Sequence, residues 1–224
     1  MLLSKQEIKY EKQLVLFIDI LGTKNRHKEF AEYLLRKLYN QYKLLGSDID
    51  FLNSFDEQVD TKFKIFSDNV AVVNKIRYNN LATIRNHIHN MVMTAMWFQS
   101  SLLKAGFLSR GGISYGECFI DDVMIMGDGL IEAYTIESQL AIYPRVVLSS
   151  KIVDEFNFID KYITQDSDGL YYVDYIKNQV RKDRNKELID NEYSFVCDSI
   201  NNADNDRIAQ KYRWLKNKMD IYLN

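Results

Sequence analysis

Proline is almost absent from this 224-residue chain, which contains one, Pro144. Cysteine is nearly as rare: Cys118 and Cys197 form neither a CxxC pair nor a zinc-like spacing, so no disulfide framework is predicted and a reduced, cytoplasmic compartment is expected. No apolar run approaches the ~18 residues of a membrane-spanning helix, and the N-terminus shows no signal-peptide pattern. The formal net charge of −2 gives no reason for non-specific nucleic-acid binding. Neither nucleic acid nor membrane is therefore expected as a partner.

What is present is an ordinary globular composition, with 46% hydrophobic and 27% charged residues. A chain of this length can bury a substantial core without a disulfide or metal to stabilise it. Short apolar runs bounded by turn residues alternate with longer segments in which apolar residues recur every three or four positions. This alternation predicts an α+β domain with helices packed on a sheet. We expect a single domain over residues 1–224, with its core at about 14–150 and a C-terminal extension at 151–224.

The predicted strands are short apolar runs that end in turn residues: 14–20, the two arms of a hairpin centred on Asp68, 108–115, 123–126, 145–148 and 170–173. The predicted helices carry apolar residues at helical spacing: about 30–45, 81–102, 130–141, 151–156 and the segment after 201. Gly46 is expected to end the first of these helices, with 50–60 as a loop or short edge element. The adjacent Gly111 and Gly112 predict that another part of the chain approaches the strand closely.

Two aspartates lie where an apolar run is followed by residues that are typical of turns. Asp19 follows the apolar run 14–18, and Asp68 lies between the apolar runs of the predicted hairpin. A carboxylate in such a setting is costly to desolvate unless it meets a cation or several donors. Two aspartates at the ends of neighbouring strands can share divalent cations, because Mg²⁺ is commonly held by one or two carboxylates plus substrate phosphates. The less specific interpretation is that both simply cap strand ends in turns.

Four segments in order resemble the class III nucleotide cyclase catalytic domain: FIDILG at 17–22, FSDN at 66–69, RGGISYG at 110–116, and a helix opened by Gly127. Within that superfamily, AYTIE at 133–137 before Pro144 looks most like the pyrimidine cyclases of bacterial anti-phage (Pycsar) systems. The resemblance covers about 14–148. It implies a ferredoxin-like βαββαβ core, with an antiparallel-rich sheet and helices packed on it, to which the pattern adds a C-terminal hairpin and helix. It also implies a homodimer with active sites at the interface.

By this resemblance, the protein would convert UTP or CTP to the 3′,5′-cyclic monophosphate plus pyrophosphate. The product would be a second messenger for anti-phage defence, sensed by a separate effector protein. Asp19 and Asp68 would bind two Mg²⁺ or Mn²⁺ ions, with the backbone carbonyl of Ile20 as a further ligand. Two such ions, about 3.5–4 Å apart, lower the pKa of the attacking 3′-hydroxyl and neutralise the leaving group.

The same resemblance assigns substrate contacts. Leu21, Gly22 and Thr23 would offer backbone N–H groups and a helix N-terminus to the phosphates. Lys64 lies where purine cyclases carry a base-contacting residue, and a lysine can donate to adenine N1, to cytosine O2 or N3, or to uracil O4. The alternative for Lys64 is a solvated strand residue. The aspartate that partners this lysine in adenylate cyclases is missing just before Gly127.

Asp121 and Asp122 come too early in the sequence to replace that aspartate unless the loop shifts. The helix after Gly127 also lacks the asparagine and arginine that the family uses on the transition state. Arg110 is the preferred replacement, because a guanidinium binds phosphate bidentately. Arg145 is the second choice, although a structural ion pair with Glu137 would explain it equally well.

Two other functions are open. An adenylate cyclase would be favoured by Lys64. A catalytically silent cyclase-fold module would bind a nucleotide or a partner, but it would have no reason to keep Asp19 and Asp68 at strand ends. A diguanylate cyclase is rejected, because its Gly-Gly-acidic-acidic-Phe hairpin is replaced here by FSDN at 66–69.

Overall fold

The computed structural model describes residues 10–22, 31–55, 59–76, 80–158, 160–177 and 186–223. The strands, in chain order, are β1 Glu11–Leu21, β2 Asp60–Phe66, β3 Asn69–Lys75, β4 Leu108–Ile120, β5 Ile125–Met126, β6 Val146–Leu148, β7 Ile163–Gln165 and β8 Tyr171–Val173. The helices are α1 Ala31–Phe55, α2 Leu81–Lys104, α3 Asp128–Thr135, α4 Ser150–Phe156, α5 Lys186–Asn201 and α6 Asp206–Leu223. A π-helical turn, Ile136–Leu140, continues α3.

The strands form one eight-stranded sheet in the order β2-β3-β1-β4-β6-β8-β7, with β5 paired to β4 off this path. The first four strands pair antiparallel with one another, and with α1 and α2 they make the ferredoxin-like βαββαβ arrangement. Strand β6 adds in parallel to β4, and the β7–β8 hairpin extends the sheet beyond it. The predicted fold class, a ferredoxin-like core with a C-terminal hairpin and helix, is confirmed.

Successive side chains of β1 point to opposite faces of the sheet and pack in two different hydrophobic clusters. Leu14, Leu16 and Ile18 join the main core, which also includes residues of α1, α2 and α6. Val15 packs in a second, smaller cluster with Ala133 of α3. Asp19 has the same parity as Val15, so it projects on the face of the sheet that α3 covers.

Helix α1 is longer than predicted, and the expectation that Gly46 ends it is wrong. The helix continues through the glycine to Phe55, so most of the predicted loop at 50–60 is helical. Two observations explain this. Ile49, one turn beyond the glycine, is buried in the main core. A Cβ at Gly46 would lie 3.4 Å from the Phe63 ring, so the glycine packs against β2.

The paired glycines of β4 have the close neighbour that their sequence predicts. A Cβ on Gly112 would lie 2.4 Å from the Ala133 carbonyl oxygen and 2.7 Å from Ile136 Cβ. Gly116 similarly lies beneath the backbone of Gly129. Helix α3 therefore packs directly on the backbone of β4, which continues through Gly116 to Ile120 and does not end there as predicted.

Gly112→Ala should lower the free energy of unfolding by about 1–3 kcal/mol, because the added methyl overlaps backbone and a core side chain that have little room to move. Urea unfolding followed by circular dichroism measures this change. Gly46→Ala is the matched control: its methyl meets a ring at ordinary contact distance within a helix, where alanine is favoured over glycine by up to about 1 kcal/mol. Equal stability of the two variants would contradict the packing described here.

The remaining differences between prediction and structure are local. The helix predicted at 130–141 begins at Asp128 and changes to π-helical geometry at Ile136. The strand predicted at 123–126 is limited to Ile125–Met126. Helix α5 has no counterpart among the predicted elements. None of the described helices is long and apolar enough to cross a membrane.

Candidate active site

Asp19 and Asp68 lie at neighbouring positions at one end of the sheet. Asp19 of β1 is directly opposite Asn69, the first residue of β3, and Asp68 immediately precedes Asn69 in the β2–β3 turn. The backbone N–H of Ile20 donates to the Asp68 carbonyl at 3.0 Å, which ties the turn to β1. Ser67 has a φ of 59°, and this left-handed conformation closes the turn. The fold therefore brings together the two aspartates singled out by the sequence.

Arg110 lies beside Asp19 on the adjacent strand. The two residues are opposite each other in the β1–β4 register, and Arg110 Nε lies 3.6 Å from Asp19 Oδ2. The same Nε lies 2.6 Å from Oε1 of Glu137, in the π-helical turn. The side chain of Glu137 is only 3% exposed. Arg110 thus links a candidate metal ligand to a buried carboxylate, and π-helical turns of this kind are frequent at functional sites.

The charges of this cluster influence one another. Burial raises the pKa of Glu137 to about 7; the positive charge of Arg110 opposes the rise and the negative charge of Asp19 adds to it. Tyr42 of α1 donates a hydrogen bond to the Ser67 carbonyl at 3.3 Å. Burial, followed by the charges of Asp68 and Asp19, raises the pKa of Tyr42 to about 12. Both aspartates therefore lie close enough to Tyr42 to act electrostatically on the same side chain.

The donor set fits a hard divalent cation that shares its coordination with a substrate. Within the described ranges, no group of three or more His, Cys, Asp or Glu side chains is arranged to hold a metal ion by itself. Asp19 and Asp68 supply two carboxylates, and Mg²⁺ at phosphate-transfer sites is usually bound by one or two carboxylates together with phosphate oxygens. Carboxylate oxygens also suit Mn²⁺.

Comparison with known proteins identifies the architecture. No protein-family model and no curated protein sequence matches the chain. Among solved structures, the adenylyl cyclase CyaB from P. aeruginosa aligns with a TM-score of 0.51 and 17% identity, over 75% of this chain and 95% of that one. The catalytic core of a rhodopsin-guanylyl cyclase with converted specificity, in complex with ATPαS, aligns with a TM-score of 0.50 and 18% identity, over 75% and 98%. The chain has the nucleotide cyclase fold.

A bacterial light-regulated adenylyl cyclase also aligns, with a TM-score of 0.50 and 14% identity, over 76% of this chain and 54% of that one. At these levels of identity the comparisons establish the cyclase fold.

The predicted phosphate-binding turn follows β1. Leu21 is the last residue of β1 and pairs with Leu108. Gly22 has a φ of +83°, a left-handed conformation that glycine adopts without strain. Thr23 lies outside the described residues. In the cyclase fold this turn leaves the same end of the sheet as Asp19, so Leu21 and Gly22 are near the predicted metal ligands.

The described contact of Lys64 is with the loop between β4 and β5 and not with Asp19 or Asp68. Its Nζ donates to the backbone carbonyl of Asp122, in the loop between β4 and β5. The side chain of Asp121 accepts hydrogen bonds from the N–H groups of Val123 and Met124, at 2.8 Å each. The loop therefore turns back towards β2. It brings Asp121 and Asp122 close to Lys64, although these two aspartates come early in the sequence.

Arg145, the second choice for a phosphate-binding cation, is a structural residue. Its side chain is fully buried and forms ion pairs with Asp166 and Asp168, so the suggested pair with Glu137 is wrong. Its guanidinium carbon lies 5.5 Å from the ring centroid of Tyr143 and 5.9 Å from that of Trp214, two rings that stack on each other. Burial on this scale keeps Arg145 from contacting a substrate, which leaves Arg110 as the candidate.

Sequence reasoning missed Glu137 and Lys211. The sequence predicts Glu137 only as a partner of Arg145, and no local signal indicates its contact with Arg110 on β4. Lys211 belongs to α6, outside the segment that resembles cyclases, and lies half-buried near Asp19 and Glu137. Burial lowers the pKa of Lys211, as does the charge of Arg110, while the two carboxylates oppose that change.

Proposed function

We propose that this protein is a metal-dependent pyrimidine nucleotide cyclase, which converts UTP or CTP to the 3′,5′-cyclic monophosphate and pyrophosphate. The observation that carries the proposal is the placement of Asp19 and Asp68 at neighbouring strand ends, beside Arg110, in a cyclase fold. In the reaction, the ribose 3′-oxygen loses its proton and bonds to the α-phosphorus. The bond between that phosphorus and the oxygen bridging to the β-phosphate breaks, and pyrophosphate leaves.

In this proposal, Asp19, Asp68 and the backbone carbonyl of Ile20 hold two Mg²⁺ or Mn²⁺ ions. When bound, such ions lower the pKa of the attacking hydroxyl and neutralise charge on the leaving pyrophosphate. The chain supplies the geometry: the β1–β3 register positions Asp19, and the hydrogen bond from Ile20 to the Asp68 carbonyl positions the turn. Ligands on rigid elements keep their orientation better than ligands on unsupported loops.

Arg110 takes the role of the phosphate-stabilising cation. A guanidinium is planar, always charged and shaped for bidentate contact with phosphate oxygens. Both of its ion pairs use Nε, so we assign the two Nη groups to the α-phosphate, where negative charge develops during the reaction. The buried Glu137 fixes the orientation of the guanidinium.

Leu21, Gly22 and Thr23 take the role of the phosphate-binding turn, and Lys64 that of the base contact. The pyrimidine assignment rests on the resemblance to the Pycsar cyclases and on the sequence of α3 and the π-helical turn, where the asparagine and arginine of purine cyclases are absent. By the same resemblance, the product serves as a second messenger in anti-phage defence and acts on a separate effector protein.

A homodimer with active sites at the interface is part of the proposal. Large apolar side chains are exposed at the end of β2, in and beside the β4–β5 loop, and on α3: Phe66, Met124, Met126, Ile131 and Tyr134. Extended exposed apolar surface is typical of protein–protein interfaces. Activity per mole should therefore fall as the protein is diluted to concentrations at which sedimentation detects monomers. A monomer with full activity would contradict the shared-site arrangement.

The experiment that tests the function is incubation of the purified protein with ATP, GTP, CTP and UTP separately in Mn²⁺, with mass spectrometry of the products. The expected result is one cyclic pyrimidine nucleotide and an equimolar amount of pyrophosphate. Cyclic AMP as the main product would replace the pyrimidine assignment with adenylate cyclase. No cyclic product from any of the four would contradict the cyclase assignment and favour the silent module.

A further inference from the structure

Arg110 lies between two carboxylates, and it is closer to the one that is not a candidate metal ligand. Its Nε is 2.6 Å from Oε1 of Glu137, which is as close as charged donor and acceptor groups come. The same Nε is 3.6 Å from Oδ2 of Asp19, near the outer limit of an ion pair. The side chain of Glu137 is 3% exposed and that of Asp19 is 22% exposed. Arg110 is therefore paired with the buried carboxylate, and it lies beside Asp19 without closing on it.

The sheet by itself favours the other pairing. Asp19 and Arg110 are directly opposite each other in the antiparallel β1–β4 register. Side chains at such positions share one face of the sheet, with their Cβ atoms about 4.5–5.5 Å apart, and opposite charges there attract each other. An arginine side chain is long enough to bring its guanidinium into contact with a carboxylate across that gap. The observed separation of 3.6 Å therefore points to a competing carboxylate, and Glu137 is in position to compete.

Packing holds Glu137 in the place from which it competes with Asp19. It lies in the π-helical turn that continues α3, and its neighbour Ile136 packs against the backbone of Gly112. Gly112 is two residues along β4 from Arg110. A buried carboxylate is costly unless a cation compensates its charge. Movement of the guanidinium fully onto Asp19 would therefore leave the buried charge of Glu137 without its ion-pair partner.

We propose that Glu137 is a positioning residue that acts through Arg110: it keeps the guanidinium from closing on Asp19, so that the Asp19 carboxylate binds a divalent cation. The inference rests on the proposed function, in which Asp19 is a metal ligand, and it adds control of metal affinity to the orienting role of Glu137. The guanidinium and the cation are both positive and approach the same carboxylate. A second carboxylate on Arg110 offsets part of its charge and reduces the repulsion between the guanidinium and the cation.

The test measures the Mn²⁺ affinity of the whole protein without a triphosphate, by electron paramagnetic resonance. It is carried out at pH 8, where most molecules carry an ionised Glu137 because the pKa of this residue is about 7. Glu137→Gln keeps the shape of the side chain and removes its charge. Arg110 should then pair with Asp19 and weaken Mn²⁺ binding about 5-fold, the effect of one partly solvated ion pair. Glu137→Asp restores the charge on a shorter side chain and should recover part of the loss.

Glu132→Gln is the matched control, because Glu132 is a half-buried carboxylate on the helix that leads into the π-helical turn. It interacts electrostatically with Lys151, whose ammonium donates to the carbonyl of Tyr115, five residues along β4 from Arg110. The Mn²⁺ affinity of this control should match that of the wild type. Equal losses in Glu132→Gln and Glu137→Gln would overturn the inference, as would wild-type Mn²⁺ affinity in a folded Glu137→Gln variant.

A double-mutant cycle separates action through Arg110 from a general loss of structure, with the fold of each variant checked by circular dichroism. In an Arg110→Met background, Glu137→Gln should not weaken Mn²⁺ binding further, because no guanidinium is left to move onto Asp19. The same 5-fold loss in that background would contradict the proposal, since the effect of Glu137 would then not pass through Arg110.

The two proposals fail separately. If the wild-type protein makes no cyclic nucleotide from any triphosphate, but Glu137→Gln weakens Mn²⁺ binding only when Arg110 is present, the cyclase assignment fails and the role of Glu137 stands. If the wild-type protein makes a cyclic nucleotide and Glu137→Gln keeps the wild-type Mn²⁺ affinity, only the role of Glu137 fails.

Discussion

Asp19→Asn should reduce turnover by about 10³-fold or more, and Asp68→Asn should do the same. Asparagine keeps the shape of the side chain but removes the negative charge that binds a divalent cation, and the cation supplies several kcal/mol of charge stabilisation in this chemistry. The variants should remain folded. The Asp19–Arg110 pair is partly solvated and spans 3.6 Å, and pairs of this kind contribute about 1 kcal/mol or less.

The measurement is initial rate with the preferred triphosphate in Mn²⁺, together with Mn²⁺ affinity from electron paramagnetic resonance. Asp60→Asn is the matched control, because Asp60 is a partly exposed carboxylate at the opposite end of the same β2–β3 hairpin and pairs with Lys75 at 3.5 Å. It should stay within about twofold of the wild-type rate, since surface pairs of this kind contribute little. Wild-type turnover and Mn²⁺ affinity in either active-site variant would remove that aspartate from the metal site.

Arg145→Met should lower the free energy of unfolding by about 3–5 kcal/mol. Removing one partner of a buried ionic network is the costly way to break it, because the remaining charges stay desolvated with fewer counter-charges. Asp166 would retain Lys218, at 2.8 Å, as a counter-charge. Here Asp166 and Asp168 lose their shared guanidinium, and the stacked rings of Tyr143 and Trp214 lose a neighbouring cation. Because this cluster joins β6, the β7–β8 hairpin and α6, its loss should loosen the C-terminal third of the fold.

Arg213→Met is the control for this loss of stability. Its guanidinium pairs with Asp206 on the surface of α6, where the two side chains are 52% and 67% exposed, so the expected change is about 1 kcal/mol or less. Urea unfolding followed by tryptophan fluorescence distinguishes the two variants, since Trp214 reports on the cluster. Equal unfolding midpoints for Arg145→Met and the wild type would contradict the structural role of Arg145.

The same cluster predicts that the free energy of unfolding falls at low pH. Burial opposes ionisation of Asp166, but hydrogen bonds from Lys218, the Ser167 N–H and Trp214 outweigh it and lower its pKa from 3.8 to about 2. A carboxyl whose pKa is lower in the folded state contributes stability above its unfolded pKa and loses it as pH falls through the folded value. Wild-type stability should therefore decline between about pH 4 and pH 2, and Asp166→Asn should show a lower plateau and a shallower decline.

The sequence by itself determined the strands that carry the site and the residues at their ends. Apolar alternation and turn chemistry are local properties, so β1, the hairpin that presents Asp68 and the close approach at Gly112 could all be predicted from them. Local rules also misled: a glycine after an apolar segment predicts a helix end, but burial of Ile49 favours continuing the helix through Gly46.

Only the tertiary structure decided which charges meet. Arg110 and Arg145 are indistinguishable as isolated arginines, yet sheet register places one beside Asp19 and buries the other against Asp166 and Asp168. Glu137 reaches Arg110 because α3 packs on the glycines of β4. Contacts between residues far apart in the chain depend on how whole elements pack, and a pattern read along the chain carries no record of that packing.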